Sequence, residues 1–142
     1  MKAELKQINP GSEFYTEERC FINELANHEE DPDVSIARAR LESGVTTRWH
    51  RLHQITERYV ILEGEGLVEI GELAPQKVGY GDVVIIPPEC RQRITNIGNT
   101  DLVFLAICTP RFTPNAYEDI ENMFTDSLEI ECENNGQKKG GL

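Results

Sequence analysis

Long hydrophobic runs are missing from this chain. Its longest unbroken apolar stretch, Leu102 to Cys108, falls far short of the about 20 residues that a bilayer-spanning helix needs. No membrane span is expected. The segment from Met1 to Gly11 carries scattered charge and no apolar h-region, so no secretory signal is read there and a cytoplasmic location is expected. Positive charge is scarce too: 14 Lys and Arg stand against 25 Asp and Glu, a formal net charge of -11. A field of that sign repels phosphate backbones and anionic lipid, which removes nucleic acid and membrane surfaces from the expected partners. Closely spaced cysteine pairs are absent as well. Cys20, Cys90, Cys108 and Cys132 lie far apart with no CxxC, the pattern of isolated thiols rather than of a zinc knuckle or redox couple.

What is present is an ordinary globular composition, 39% apolar and 27% charged over 142 residues, enough for one hydrophobic core. A single domain over 1–132 is expected, with its core at about 34–110 and a flexible polar tail over 133–142. From Cys20 to about Pro110, short β-branched and apolar runs alternate with Gly, Pro, Asn and Asp, which predicts an all-β antiparallel domain. The predicted strands are Phe21–Leu25, Val34–Leu41, Thr46–Leu52, Glu57–Leu62, Gly66–Ile70, Val83–Ile86, Arg91–Asn96 and Leu102–Cys108. Glu63-Gly64-Glu65-Gly66 and Gly79-Tyr80-Gly81-Asp82 supply turn glycines. Neither is a phosphate loop, because each leads into a strand and not into a helix.

After Arg111 the pattern changes. Thr113 can cap, Pro114 suits a first helical turn, and Tyr117, Ile120 and Phe124 recur at helical spacing, which predicts a short amphipathic helix over about 114–124. Leu128–Cys132 reads as a further strand.

Two of the three histidines, His50 and His53, fall within four positions of each other and just before Glu57. Imidazole and carboxylate are the usual nitrogen and oxygen ligands of divalent first-row metals, so this cluster is a candidate metal site. The competing reading is a pair of polar residues on a half-exposed strand, satisfied by neighbouring acids.

Gly44, His50, His53, Glu57 and Gly64 closely resemble the first motif of the cupin superfamily. Gly81, Pro87, Glu89, Gln92 and Asn96 occupy the positions of glycine, proline, glycine, histidine and asparagine in its second motif. The resemblance covers about Val34 to Cys108 and implies a cupin jelly-roll β-barrel (double-stranded β-helix) of the small single-domain bacterial type, here with the short C-terminal helix. It also implies a homodimer and a small-molecule substrate held at the wide end of the barrel. Trp49-His50-Arg51-Leu52-His53 further resembles cupins labelled mannose-6-phosphate-isomerase-like, a likeness of fold more than of reaction.

Two departures from the motif bear on chemistry. His-x-His is the usual pairing because residues two apart share a strand face, whereas here the spacing is His-x-x-His. On a regular strand His50 shares its face with Arg48 and Leu52, and His53 points away with Trp49 and Arg51, unless a bulge re-aims one of them. Gln92 stands where a third histidine is usual, and its neutral oxygen is a weaker ligand than imidazole. The resemblance thus implies a divalent transition metal (Mn, Fe, Zn or Ni) held by His50, His53, Glu57 and Gln92. The alternative is a metal-free site with Glu57 and His50 as catalytic acid and base.

Tyr59, on the Glu57 face, and Gln92 are candidate hydrogen-bonding partners of substrate. Arg48 is the candidate receptor for a carboxylate or phosphate. Arg38, Arg40, Arg48, Arg51, Arg58, Arg91 and Arg93 cluster on the β domain, which suggests a locally cationic pocket in an anionic protein. Apart from Arg48, most are expected to face outward and pair with surface acids, Arg38 and Arg40 by their alternation with Ala37, Ala39 and Leu41. The expected function is an enzyme acting on a small polar or anionic metabolite, sugar-related or a carboxylate. The alternative is a non-catalytic sugar-binding cupin that has lost its metal.

Overall fold

A computed structural model describes residues 1–126 of the chain. The predicted strand at Leu128–Cys132 and the tail over 133–142 lie outside the described residues. The described residues form eleven strands: β1 (Phe14–Tyr15), β2 (Phe21–Ala26), β3 (Ser35–Leu41), β4 (His50–Leu52), β5 (Thr56–Glu63), β6 (Gly66–Ile70), β7 (Gln76–Val78), β8 (Val83–Ile86), β9 (Gln92–Asn96), β10 (Leu102–Thr109) and β11 (Tyr117–Asp119). They form a six-stranded sheet in the order β1-β2-β3-β10-β5-β8 and a five-stranded sheet in the order β11-β4-β9-β6-β7. The strand pairs are antiparallel throughout. The jelly-roll expectation is met.

Period-two alternation builds the interior. Along β5 the buried positions are Glu57, Tyr59 and Ile61, and along β9 they are Gln92, Ile94 and Asn96, with Arg58 and Arg93 between them turned outward. The register then sorts the two ends of the barrel. Ala39 and Leu41 of β3 lie opposite Phe104 and Leu102 of β10, and these four join Ile61, Ile70, Ile86 and Ile94 in the main core cluster. At the other end Ser35–Ala37 faces Ala106–Cys108, and Cys108 faces Glu57. That second end is left open enough to hold a cavity.

The predicted helix at 114–124 is not formed. Pro114–Ala116 makes one 3-10 turn, Tyr117–Asp119 becomes β11, and a second 3-10 turn spans Glu121–Asp126. Tyr117, Glu118 and Asp119 pair with Leu52, Arg51 and His50, and the Ile120 amide donates to the Trp49 carbonyl at 3.0 Å. A few residues of helical spacing carry little stability alone, so the unpaired edge of β4 captures the segment instead. Thr113 does stand at the start of the first turn, but its side chain makes no capping bond. The expectation of isolated thiols holds for the buried Cys20 and Cys108, and not for Cys90, which is disulfide-bonded. Cys132 lies outside the described residues.

Gly64, in the β5–β6 turn, has φ +86°, and a Cβ placed there would sit 2.5 Å from the Asp101 carbonyl oxygen. Gly64→Ala is therefore expected to cost roughly 3 kcal/mol, combining left-handed strain with a backbone clash that no side chain can relieve. Urea unfolding of the variant checks this, and a loss below about 1 kcal/mol would mean that the turn yields.

Candidate functional site

The open end of the barrel holds a cavity of about 370 Å³, within the usual range of small-molecule sites. Its walls come from both sheets: His50 and Leu52 of β4 and Tyr117 of β11 on one side, Ile22, Ile36, Glu57 and Cys108 on the other, with Phe112 from the segment after β10. A strap formed by β1 and the residues after it adds Phe14, Thr16, Glu17 and Glu18. The strap is tied down where Arg19 donates to the Thr46 carbonyl at 2.8 Å and the Thr16 hydroxyl donates to the Cys20 carbonyl at 2.8 Å.

Glu57 is the most unusual group in the wall. It is buried, and its Oε1 is the only buried side-chain nitrogen or oxygen among the described residues without a hydrogen-bond partner. Its Oε2 lies 3.8 Å from the Cys108 thiol. Burial pushes its carboxyl up to about 7, against the opposing pull of His50. An orphaned carboxylate oxygen costs free energy in a finished core, so its persistence at a cavity wall points to function.

His50 is also buried. Its Nδ1 lies 2.8 Å from the Arg48 carbonyl, an acceptor only, so this nitrogen carries the hydrogen and the ring is held in one orientation. Nε2 is left 4.0 Å from a Glu18 carboxylate oxygen. One face of the imidazole stacks on Tyr117 with centroids 5.1 Å apart and planes at 21°. Burial, and then Glu18, pushes the Tyr117 phenol up.

The structure brings His50 and Glu57 together at the cavity and not the other expected site residues. His53 lies beyond the end of β4, on the outer surface, its side chain 43% exposed. Its Nδ1 meets Glu89 at 2.5 Å and its Nε2 meets Glu118 at 2.8 Å, and Glu89 above all raises its pKa. No bulge re-aims it. Glu89 holds a left-handed backbone (φ +67°), which accounts for the glycine that cupins commonly show at this place. Arg48 is also turned out. It precedes the regular part of β4, where alternation does not apply, and it pairs with Asp119 at 2.6 Å. Tyr59 and Gln92 are inside the barrel but do not line the cavity; the Tyr59 hydroxyl donates to Gln92 Oε1 at 2.5 Å.

The cationic pocket is likewise not found. Arg38 and Arg40 pair with Glu13, Arg51 with Glu118 and Arg93 with Glu69, while Arg58 donates to the Thr109 hydroxyl. Among the described residues no arginine or lysine lines the cavity. The residues that sequence reasoning missed are Glu18 and Tyr117. Glu18 lies outside both motifs in a segment without strand alternation, and Tyr117 falls in the predicted helix.

The donor set does not fit the metal that the resemblance implies. His53 is spent on surface acids, Gln92 Oε1 is engaged by Tyr59, and among the described residues no three His, Cys, Asp or Glu are grouped to hold an ion. Among the described residues, no helix is long and apolar enough to cross a membrane.

Comparison with known proteins gives the family. A model of the cupin domain matches residues 37–108. An uncharacterized protein of Methanocaldococcus jannaschii is 33% identical over 123 residues, 85% of this chain and 93% of that protein. The structure of a predicted oxalate decarboxylase from Thermotoga maritima is 29% identical with a TM-score of 0.59, covering 64% of this chain and 80% of that one. A nucleoside dehydratase from Streptomyces has a TM-score of 0.67 at 13% identity, covering 83% and 92%, a likeness of fold alone. Both motifs, both sheets and the matched span agree: this chain belongs to the cupin family.

Proposed function

We propose that the chain is an enzyme acting on a small polar molecule by general acid–base catalysis in the cavity, with Glu57 as base and His50 as its partner. The observation that carries this reading is Glu57 Oε1, buried at the cavity wall with no partner of its own. A carboxyl near 7 exists in both protonation states at neutral pH, which is where a group that must take up and return a proton works best. His50, held through Nδ1, presents Nε2 as the second proton carrier. Burial keeps water away from both. The reaction class is proton transfer at a carbon or oxygen of the substrate, as in an isomerisation or a dehydration. Relatives on this scaffold include a nucleoside dehydratase and a predicted oxalate decarboxylase, so the fold hosts more than one reaction and does not choose among them.

Of the substrates expected from the sequence, the anionic ones lose their receptor, since Arg48 faces away from the cavity. Polar molecules without a negative charge, sugars and amines among them, remain.

Solvent deuterium incorporation into a panel of sugars, polyols and amines, followed by NMR with and without chelator, tests the reading. Incorporation is expected into at least one compound, to persist in chelator, to vanish in His50→Ala and to be untouched in His53→Ala. If chelator abolishes it and Mn, Fe, Zn or Ni restores it, the chemistry is metal-dependent. If compounds bind without any exchange, the protein is a small-molecule binding module.

A further inference from the structure

The charge lining the cavity is of one sign. Glu17, Glu18, Glu24 and Glu57 reach it, with no arginine or lysine among the described residues to neutralise them. Glu18 stands 4.0 Å from His50 Nε2, and the Glu57 oxygen is buried and unpartnered. Much of the remaining wall is apolar or aromatic, with Phe14, Ile22, Phe112 and Tyr117 around the open space. The whole chain adds a net charge of -11, which draws cations toward any concave surface and repels anions.

We propose that the cavity takes a small organic cation, a protonated amine on a largely apolar body. The ammonium would sit among the carboxylates of Glu18 and Glu57, and the body would lie against Phe14, Phe112 and Tyr117. This inference rests on the acid–base reading of the same cavity and narrows its substrate class. An ammonium supplies hydrogens to Glu57 Oε1, the one buried side-chain oxygen among the described residues that lacks a donor. A carboxylate or phosphate would be desolvated among like charges with no donor to compensate, the arrangement by which sites reject a wrong ligand. Aromatic faces near the carboxylates favour a cation further.

Three probes of matched shape test it: 2-phenylethylamine, 2-phenylethanol and phenylacetate, each titrated calorimetrically into the whole protein. The amine is expected to bind about tenfold more tightly than the alcohol, with phenylacetate not detected. Its advantage should shrink at high salt. In Glu18→Gln, on the strap, amine affinity should fall about fivefold while the alcohol changes less than twofold. Phenylacetate binding as tightly as the amine, an amine preference that survives Glu18→Gln unchanged, or no binding by any probe would each overturn the proposal. The deuterium-exchange assay on Glu57→Gln keeps the two readings apart. Lost exchange with failed amine selectivity discards the ligand class alone, whereas unchanged exchange discards the acid–base role.

Discussion

Glu57→Gln is expected to lower the rate of proton transfer by about 10²–10⁴-fold, the usual contribution of a positioned general base. Glutamine has almost the same volume and can occupy the same place opposite Ile86 and Cys108, so the cavity should keep its shape. What it cannot do is accept a proton and give it back. Solvent exchange of a responding compound, measured at pH 7 in parent and variant, checks the size of the effect. A rate within threefold of the parent sinks the role given to Glu57. The same substitution should leave the protein at least as stable at neutral pH, because it removes a buried charge that has no partner on one oxygen. Lost activity with retained stability separates a chemical role from a structural one.

Most of the barrel is legible in the sequence for a simple physical reason. A strand that buries one face writes its period of two into the chain, and β6 and β8 fall on the predicted residues without adjustment. Where burial on one face stops, legibility stops. The pattern predicts β4 over Thr46–Leu52, yet the strand is regular only over His50–Leu52, with Thr46 touching Thr95 through an isolated bridge. Counting by twos from His50 puts Arg48 on the inner face, but no strand exists yet at that position. β11 shows the opposite failure. Tyr117, Glu118 and Asp119 have no alternation to announce a strand, and only the free edge of β4, far away in sequence, makes them one.

The site was half legible for a related reason. His50 and Glu57 lie on strands, where alternation predicts their inward direction correctly. His53 lies in the turn past the end of β4 and is held outside by Glu89 and Glu118, so His-x-x-His does not bring two imidazoles to one metal. Most of the arginines turn outward to surface acids as the sequence predicts, and only Arg48, expected at the pocket, departs from its reading. Arg38 and Arg40 alternate with the half-buried Ala37 and the buried Ala39 and Leu41, and each outward guanidinium finds an acid there. Two of the four acids that reach the cavity, Glu17 and Glu18, come from a strap that Arg19 ties to Thr46. No pattern within the strap predicts that long-range bond.

Stability should fall as pH rises from 5 to 8, by roughly 3 kcal/mol, and most of the loss should disappear in Glu57→Gln. The ordinary value for this carboxyl is 4.5, and burial first of all raises it to about 7 in the folded protein. Between those two values the folded chain holds a proton that the unfolded chain has released. The resulting stabilisation is complete below pH 4.5 and is lost as pH climbs through 7. His53 acts in the same direction, since Glu89 raises its pKa, but its side chain is 43% exposed and solvent screens the pair, so its share is small. Glu13 and Glu118 act oppositely. Arg40 and Arg51 hold them below their ordinary value, so the stability they contribute is lost only as pH falls below that value, outside this window. Urea unfolding of parent and Glu57→Gln at pH 5, 6, 7 and 8 therefore isolates one carboxyl. Parallel pH profiles for the two proteins would mean that Glu57 does not change its protonation in this range, and the acid–base reading of the cavity would lose its main support.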